Sequence, residues 1–223
     1  MEPPNLKPRL ATSYDTIATT YNAWTTTHST LRLSYLSRLL GLLPPPQNDT
    51  PTRVLELGCG AGIPITSTLV SSTDRVFHVT ANDLSPVQIA LAKQNLGDDE
   101  TRVTWKEGDM MALEFDDGAF DAVIGLYSLI HLPRKEQEVM MGRIGRWVKK
   151  GGLVLLTFGG EETEGVEMER WLGEGGWMFW SSWGVEGSLE VVKRAGFEVL
   201  VNEVKEEEGV KGSEFLWVVG RRL

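Results

Sequence analysis

Cysteine and histidine are scarce in this sequence, which contains one cysteine, Cys59, and three histidines among 223 residues. A single cysteine excludes an internal disulfide and is typical of a reducing compartment, so a cytoplasmic location is expected. These four side chains offer few of the nitrogen and sulfur ligands that zinc sites use. The sequence therefore predicts no metal centre.

Long hydrophobic runs and an excess of positive charge are also missing. No apolar run approaches the roughly 20 residues that span a bilayer, and the N-terminal segment lacks the pattern of a secretory signal. The formal net charge is −9, whereas phosphate-rich partners favour basic surfaces. Neither a membrane nor a nucleic-acid partner is expected. The remaining composition, 41% hydrophobic and 24% charged, fits one globular domain, as a monomer or a homodimer.

A proline-rich segment, PPPQNDTP at residues 44–51, ends the helical pattern of the N-terminal part. Ala11 to about Leu43 predicts two helices that are broken near Thr25–His28. We therefore expect residues 1–50 to form an N-terminal helical cap with a linker. Residues 51–223 are expected to form the main domain.

Strand and helix signals alternate along the main domain. Short apolar segments predict strands at Arg53–Leu57, Arg75–Asp83, Arg102–Lys106, Phe120–Leu126, Leu153–Phe158, Phe197–Val204 and Phe215–Gly220. Repeated alternation predicts an α/β fold with a mainly parallel sheet and helices on both faces. The last two strands are close together in the sequence and predict an antiparallel hairpin through the turn EEEGVKGS.

Helix signals lie between these strands. Ser85 is a good N-cap residue, and Gln88 completes a capping box with it. A second helix is predicted to begin at Pro133 and to end at Gly151–Gly152, and a third is predicted at Glu186–Ala195. Ligands bind such sheets at the carboxyl ends of the strands, where the strand order switches, so functional residues are expected there.

The strongest functional signal is the turn VLELGCGAGIP, in which the first predicted strand runs into a helix. Its glycines alternate with other residues, at Gly58, Gly60 and Gly62. Glycine lets the backbone turn tightly and lets a ligand lie against the main chain. The dinucleotide fingerprint G-x-G-x-x-G needs a third glycine where this chain has Ile63. Glu56 would repel a pyrophosphate and favour a cationic or amino-bearing ligand, so the pattern argues against NAD.

Two further acids follow predicted strands. Asp83 lies 27 residues after Glu56, where a carboxylate can accept hydrogen bonds from both hydroxyls of a ribose. Its alternative role is a turn or helix cap beside Ser85. Asp109 follows the third strand, where it can accept from an adenine amino group while Met110 flanks the ring.

Five motifs in order resemble those of class I S-adenosylmethionine-dependent methyltransferases of the small-molecule, ubiquinone-biosynthesis-like group: VLELGCGAGIP, NDLSPVQIALAKQN, EGDMMAL, FDAVIGLYSLIHL and VKKGGLVLLTF. The resemblance covers about residues 11–158, together with the closing hairpin. It implies a Rossmann-like, seven-stranded, mostly parallel sheet whose last strand is antiparallel. It also implies S-adenosylmethionine as the cofactor and S-adenosylhomocysteine as the product.

The resemblance further implies a cofactor site at the strand ends. Glu56 and the glycine turn would lie near the methionine part of the cofactor. Two tyrosines of the N-terminal helix would close over it, although half-buried packing is their alternative. The expected cofactor contacts are Tyr14, Tyr21, Glu56, Gly58, Cys59, Gly60, Gly62, Asp83, Leu84, Gln88, Asp109, Met110, Met111, Leu126 and Tyr127.

A methyl acceptor that arrives protonated needs a base, and His131 is the best candidate because it follows the fourth strand and titrates near neutrality. Its alternative is a structural histidine that bonds to a backbone carbonyl. Cys59 lies inside the glycine turn, where only its backbone is needed. The sequence GLYS at residues 125–128 replaces the Asn/Asp-Pro-Pro-aromatic motif of adenine- and amide-modifying methyltransferases, which argues against those substrates.

Tryptophans are concentrated at about residues 159–185, a segment that is also rich in glutamate. Because it follows the fifth strand, this segment is expected to fold over the site as a lid insertion; a small separate core is the alternative. Aromatic faces suit flat or apolar molecules and cations. The expected substrate contacts are Trp24, His131, Trp177, Trp180 and Trp183.

Together these features predict an enzyme that transfers a methyl group from S-adenosylmethionine to an O, N or S atom of a small, aromatic or apolar molecule. One alternative is a cyclase-type enzyme that binds the same cofactor without methylating. A second is a non-catalytic regulatory subunit. The intact glycine turn, with Asp83 and Asp109, argues against the second.

Overall fold

The computed structural model describes residues 2–45, 50–97, 101–207, 210 and 212–223. The helices are α1 (Leu6–Thr27), α2 (Thr30–Leu42), α3 (Ile65–Val70), α4 (Pro86–Leu96), α5 (Arg134–Trp147) and α6 (Gly184–Arg194). The strands are β1 (Thr52–Leu57), β2 (Phe77–Asp83), β3 (Val103–Glu107), β4 (Phe120–Gly125), β5 (Val148–Gly159), β6 (Glu162–Glu169), β7 (Trp177–Trp183), β8 (Phe197–Glu206) and β9 (Glu214–Arg222). Parts of the proline-rich linker and of the EEEGVKGS turn lie outside the described residues.

Seven strands form one sheet in the order β3-β2-β1-β4-β5-β9-β8. Neighbours from β3 to β5 pair in parallel, whereas β9 is antiparallel to both β5 and β8. The predicted Rossmann-like sheet and its antiparallel last strand are therefore confirmed. Because the chain order reverses between β1 and β4, a crevice opens at the carboxyl ends of these two strands.

Hydrophobic residues cover both faces of the sheet, as parallel strands require. On one face, α5 places Met140, Ile144 and Trp147 at helical spacing against the strands, and all three are buried. On the other face, Tyr35 of α2 stacks on Trp217 of β9 with 4.3 Å between ring centroids. Helix α2 thus contributes to the core of the sheet. The division of the chain at residue 50 stays a prediction.

The predicted end of the second helix is wrong. Helix α5 ends at Trp147, and Gly151–Gly152 lies inside β5, which begins at Val148. The register of β4 and β5 shifts between Phe120 and Ala122, and Gly151 has a positive φ of 75°. The glycine pair therefore belongs to an irregular strand, where glycine permits close approach, and does not cap the helix. Each of the seven predicted strands ends within two residues of the end of the observed strand.

The predicted capping box is half correct. The Ser85 hydroxyl accepts a hydrogen bond from the backbone N–H of Gln88, as expected for an N-cap. The backbone N–H of Ser85, which Gln88 would bond in a capping box, donates instead to the Asp83 carboxylate at 2.9 Å. The Gln88 amide is thereby left for another role.

The tryptophan-rich segment contains a separate two-stranded antiparallel sheet, β6 with β7. Helix α1 lies against β7: the Ser13 hydroxyl accepts from the backbone N–H of Trp177 at 2.7 Å. The same helix reaches the start of α4, where Asp15 accepts from the Ser85 hydroxyl at 2.5 Å. Helix α1 is thus fixed on both sides of the crevice. Within the described ranges, no helix combines the length and apolarity that crossing a membrane requires.

Candidate functional site

The main cavity lies at the carboxyl ends of β1 to β4 and has a volume of about 680 Å³, including its open mouth. Helix α1 contributes one wall. Most of the residues predicted from the sequence line it: Tyr14, Tyr21, Gly58, Gly60, Asp83, Leu84, Gln88, Asp109, Met110, Leu126, Tyr127 and His131. The ends of the parallel strands therefore bring together side chains that lie far apart in the sequence.

A second cavity of about 400 Å³ lies on the other side of the glycine turn. Glu56 and Cys59 line it, and the two cavities share Tyr21, Gly58, Gly60, Leu126 and Tyr127. The remaining predicted residues line neither of these two cavities: Gly62, Met111, Trp24, Trp177, Trp180 and Trp183. For these residues, a role in binding stays a prediction.

The glycine turn is shaped by the close approach of the chain that follows β4. Gly58 has a φ of 75°, and a Cβ atom added there would lie 2.5 Å from the Cβ of Ser128. The backbone N–H groups of Gly58 and Cys59 both donate to the carbonyl of Asn82 at 2.8 Å. This position therefore requires glycine for its conformation and for its space.

Asp83 holds the turn and the start of α4 together. Its carboxylate accepts from the backbone N–H of Gly60 at 2.8 Å and from that of Ser85 at 2.9 Å. Burial raises the pKa of Asp83 to about 6, although these backbone hydrogen bonds oppose the shift. The turn role that the sequence offered as an alternative is thus present, and the same carboxylate lines the main cavity.

Glu56 is a second carboxyl group beside the glycine turn, and it is buried. The Thr66 hydroxyl donates to it, and burial raises the pKa of Glu56 to about 8. No ion pair forms at Glu56 or at Asp83 in the part of the chain that the structure describes. Two carboxyl groups, one buried and one half-buried, that lack a cationic partner favour a positively charged ligand.

Three side chains on the cavity wall have buried polar atoms with no hydrogen-bond partner among the described residues. They are Gln88, which is 1% exposed, Tyr127, and Ser128, whose hydroxyl lies next to the glycine turn. Buried polar groups are normally paired. A ligand with several polar groups would satisfy them.

His131 is half-buried between α1 and β7. Its Nδ1 lies 2.8 Å from the carbonyl oxygen of Phe179, and its Nε2 lies 2.8 Å from the hydroxyl of Tyr14. Burial lowers the pKa of His131 to about 4. The carbonyl contact matches the structural alternative for this histidine, and its role as a base stays a prediction.

Asp109 is tied to α1 at the end of the cavity below β3. The Lys7 ammonium lies 3.0 Å from its carboxylate and 2.6 Å from that of Glu136. The other oxygen of Asp109 accepts from the backbone N–H of Met111 at 2.9 Å. Lys7 therefore links α1 to the end of the cavity beside β3, where the sequence predicts the adenine site.

The tryptophans expected to contact substrate pack behind the wall. Trp177 lies under the Arg9 guanidinium, which is 3.9 Å from the centre of its ring. Trp180 lies 6.3 Å from the His131 ring, and the indole N–H of Trp183 donates to the Arg134 carbonyl. Trp24 packs on His28 and Trp171 at centroid distances of 5.2 and 6.4 Å.

Sequence reasoning missed six residues that line the main cavity: Lys7, Leu10, Asn82, Gly108, Ser128 and Leu132. Asn82, Gly108, Ser128 and Leu132 are neighbours of predicted residues at strand ends, so the same argument extended by one position finds them. Lys7 and Leu10 depend on how α1 docks, and no local pattern signals that.

Comparison with known proteins agrees with this geometry. The profile of the family described as "Methyltransferase domain" matches residues 54–152. The chain is 28% identical over 183 residues to a sterol 24-C-methyltransferase of Gibberella zeae, covering 76% of this chain and 44% of that protein. It is 35% identical over 118 residues to the 2-methyl-6-phytyl-1,4-hydroquinone methyltransferase of Synechocystis, covering 53% of this chain and 34% of that protein.

A third relative is the 27-O-demethylrifamycin SV methyltransferase of Amycolatopsis mediterranei, 32% identical over 130 residues, or 57% of this chain and 44% of that protein. The chain thus spans less than half the length of these three relatives.

Solved structures share the fold over nearly the whole chain. The DhpI–SAH complex aligns with a TM-score of 0.70 and 22% identity over 97% of both chains. The 1,6-didemethyltoxoflavin-N1-methyltransferase of Burkholderia thailandensis aligns with a TM-score of 0.68 and 18% identity, over 96% of this chain and 88% of that one. Residues 54–152 thus match the methyltransferase-domain family, and the chain shares the fold of solved S-adenosylmethionine-dependent methyltransferases.

Proposed function

We propose that the protein transfers the methyl group of S-adenosylmethionine to a small aromatic or apolar molecule. The observation that carries this proposal is a pair of carboxyl groups, buried Glu56 and half-buried Asp83, beside a glycine turn with no room for a side chain at Gly58. A cationic ligand that lies against the main chain fits this arrangement.

The residues present fit this cofactor. Asp83 would bind the ribose, and Asp109 with Met110 would border the adenine at the end of β3. Glu56, in the second cavity, would face the amino group of the methionine part. Gln88, whose buried amide lacks a partner among the described residues, would gain one. When bound, the cofactor supplies a methyl group on a positively charged sulfur atom.

The protein's own part in such a transfer is to position the acceptor and to exclude water. Methyl transfer from a sulfonium is an in-line displacement, in which the electrons of the broken C–S bond remain on sulfur. Correct alignment therefore contributes most to the rate. Helix α1, fixed through Ser13 and Asp15, covers the cavity with Leu10, Tyr14 and Tyr21 and keeps water out.

The atom that receives the methyl group is not restricted to O, N and S. One relative is named for methylation of a carbon atom in a sterol. Another is named for a rifamycin that lacks a methyl group on an oxygen atom. Carbon therefore joins the candidate acceptor atoms. The apolar lining supplied by Leu10, Leu126 and Leu132 supports an apolar or aromatic acceptor.

The Asp83→Asn variant tests the ribose contact. Replacing the carboxylate removes a charged hydrogen-bond acceptor, so we expect the affinity for S-adenosylhomocysteine to fall by about 1–3 kcal/mol, or about 5- to 150-fold. Isothermal titration calorimetry measures it. Asp121→Asn is the control, because Asp121 accepts from Arg53 and pairs with Lys149 away from the cavity. Equal affinity in both variants would remove the ribose assignment.

The activity itself is tested with a metabolite extract and cofactor that carries a deuterated methyl group. Methyl transfer produces a labelled product together with S-adenosylhomocysteine, and mass spectrometry detects both. Binding of the cofactor without either product would favour the cyclase-type alternative or the regulatory subunit. The mass of the labelled product also identifies the acceptor.

A further inference from the structure

We propose that Tyr14, oriented by His131, is a fixed hydrogen-bond acceptor in the main cavity that receives an O–H or N–H group of a neutral methyl acceptor. This inference rests on the proposed function and names the class of molecule that the same site takes. It also makes His131 a positioning residue, which acts through Tyr14.

The direction of the hydrogen bonds follows from the Phe179 carbonyl. A carbonyl oxygen can only accept, so Nδ1 of His131, 2.8 Å away, carries the proton. In the neutral ring, Nε2 then has a lone pair and no proton. The Tyr14 hydroxyl, 2.8 Å from Nε2, must therefore donate to it. The lone pairs of the Tyr14 oxygen are left to accept a hydrogen bond from another molecule.

The position of the Tyr14 oxygen is fixed by its neighbours. The Tyr14 ring packs edge-on against the rings of His131, Tyr21 and Trp171, with centroid distances of 5.5, 5.3 and 6.2 Å. Tyr14 and His131 both line the main cavity. Turning the hydroxyl proton away from His131 would leave a buried nitrogen without a donor, which is unfavourable. The cavity therefore contains an acceptor oxygen whose direction is set before any ligand binds.

This geometry does not suit His131 as the base. The Nε2 lone pair, which a base would use, already receives the Tyr14 proton. Burial also lowers the pKa of the ring to about 4, so His131 is neutral near pH 7 and holds an added proton weakly. A neutral side chain that both donates and accepts a hydrogen bond could therefore replace His131.

The charges on the wall disfavour an anionic methyl acceptor. The charged side chains on the described cavity wall are Lys7, Asp83 and Asp109. Lys7 is engaged by Asp109 and by Glu136, so its charge is compensated. An anionic acceptor would enter a cavity whose lining is negative overall and would meet no uncompensated cation among the described residues. A neutral molecule that donates one hydrogen bond fits both the charge and Tyr14.

Three probes of nearly equal shape test this inference without turnover: 1-naphthol, 1-methoxynaphthalene and 1-naphthoate. Binding of each to the protein saturated with S-adenosylhomocysteine is measured by calorimetry or by ligand-observed NMR. We expect 1-naphthol to bind about tenfold more tightly than 1-methoxynaphthalene, which has no donor, and 1-naphthoate to bind most weakly. Equal affinities, or no binding of 1-naphthol, would overturn the proposed ligand class.

Variants then assign the effect to Tyr14 and His131. Tyr14→Phe removes one oxygen and should reduce the 1-naphthol affinity to that of 1-methoxynaphthalene. His131→Leu should do the same, whereas His131→Gln, which keeps a neutral donor and acceptor, should retain most of the preference. The Tyr14→Phe, His131→Leu double variant should be no worse than either single variant, because both disrupt one unit. Tyr35→Phe removes a hydroxyl that donates to Glu203 and does not line the cavity, so it is the control and should keep the preference.

The outcomes separate this inference from the proposed function. If S-adenosylhomocysteine does not bind the wild-type protein, the proposed function fails. If it binds and Tyr14→Phe still prefers 1-naphthol, only the role of Tyr14 fails. A loss in His131→Gln as large as that in His131→Leu, with both variants folded by circular dichroism, would overturn the positioning role. Should the His131 variants unfold, Tyr14→Phe still decides the question.

Discussion

Replacing Gly58 with alanine should reduce the affinity for S-adenosylhomocysteine by at least about 100-fold. The added methyl group would lie 2.5 Å from the Cβ of Ser128, far inside van der Waals contact, on a backbone with a φ of 75°. Relief requires the glycine turn or the segment after β4 to move, and both line the main cavity. Calorimetric titration measures the loss, and differential scanning fluorimetry measures the accompanying fall in Tm.

Gly151→Ala is a matched control for backbone strain. Gly151 also has a φ of 75°, but a Cβ atom there has no neighbour within 4 Å. Its variant should lose stability by about 1 kcal/mol through the left-handed conformation and should keep cofactor affinity. Adding Ser128→Gly to Gly58→Ala removes the clashing Cβ atom and should restore part of the binding. Equal affinities of the Gly58 and Gly151 variants would contradict the close-approach explanation.

Local sequence signals predicted the fold because each element carries its own pattern. The burial of β1, the N-cap at Ser85 and the alternation of strands with helices are local, and the structure agrees with all three. The helix end predicted at Gly151–Gly152 is wrong because glycine ends helices and also permits irregular strands. Only the pairing of β5 with β4 and β9 distinguishes the two.

The residues of the site divide in a similar way. Those that follow from the fold class are predicted, and those that depend on how distant elements pack are not. Asp83 and Asp109 follow strands whose ends must meet in a parallel sheet, so their place in the cavity follows from the fold class. Lys7 and Leu10 reach the cavity only because α1 crosses it, held by side chains of other elements. The bond between Tyr14 and His131 joins residues 117 positions apart, and no local pattern predicts it.

Raising the pH from about 5 to 8.5 should destabilise the unliganded protein, and Glu56→Gln should remove most of that loss. Burial raises the pKa of Glu56 from 4.5 to about 8, so the folded protein keeps a proton that the unfolded chain releases. The stability that this proton contributes is fully present below pH 4.5 and is lost as the pH rises through 8. The difference is on the order of 3 kcal/mol, measurable by urea unfolding across this pH range.

Cofactor binding should respond to pH in the opposite sense. A bound cation stabilises the ionised form of Glu56, and Asp83, with a pKa of about 6, adds to the effect at lower pH. The affinity for S-adenosylmethionine should therefore rise as the pH increases towards 8, with a proton released on binding that calorimetry in buffers of different ionisation enthalpy detects. Glu138→Gln, an exposed change on α5, is the control and should keep both pH dependences. If Glu56→Gln keeps them as well, the proton resides elsewhere and Glu56 is not the group that meets the cation.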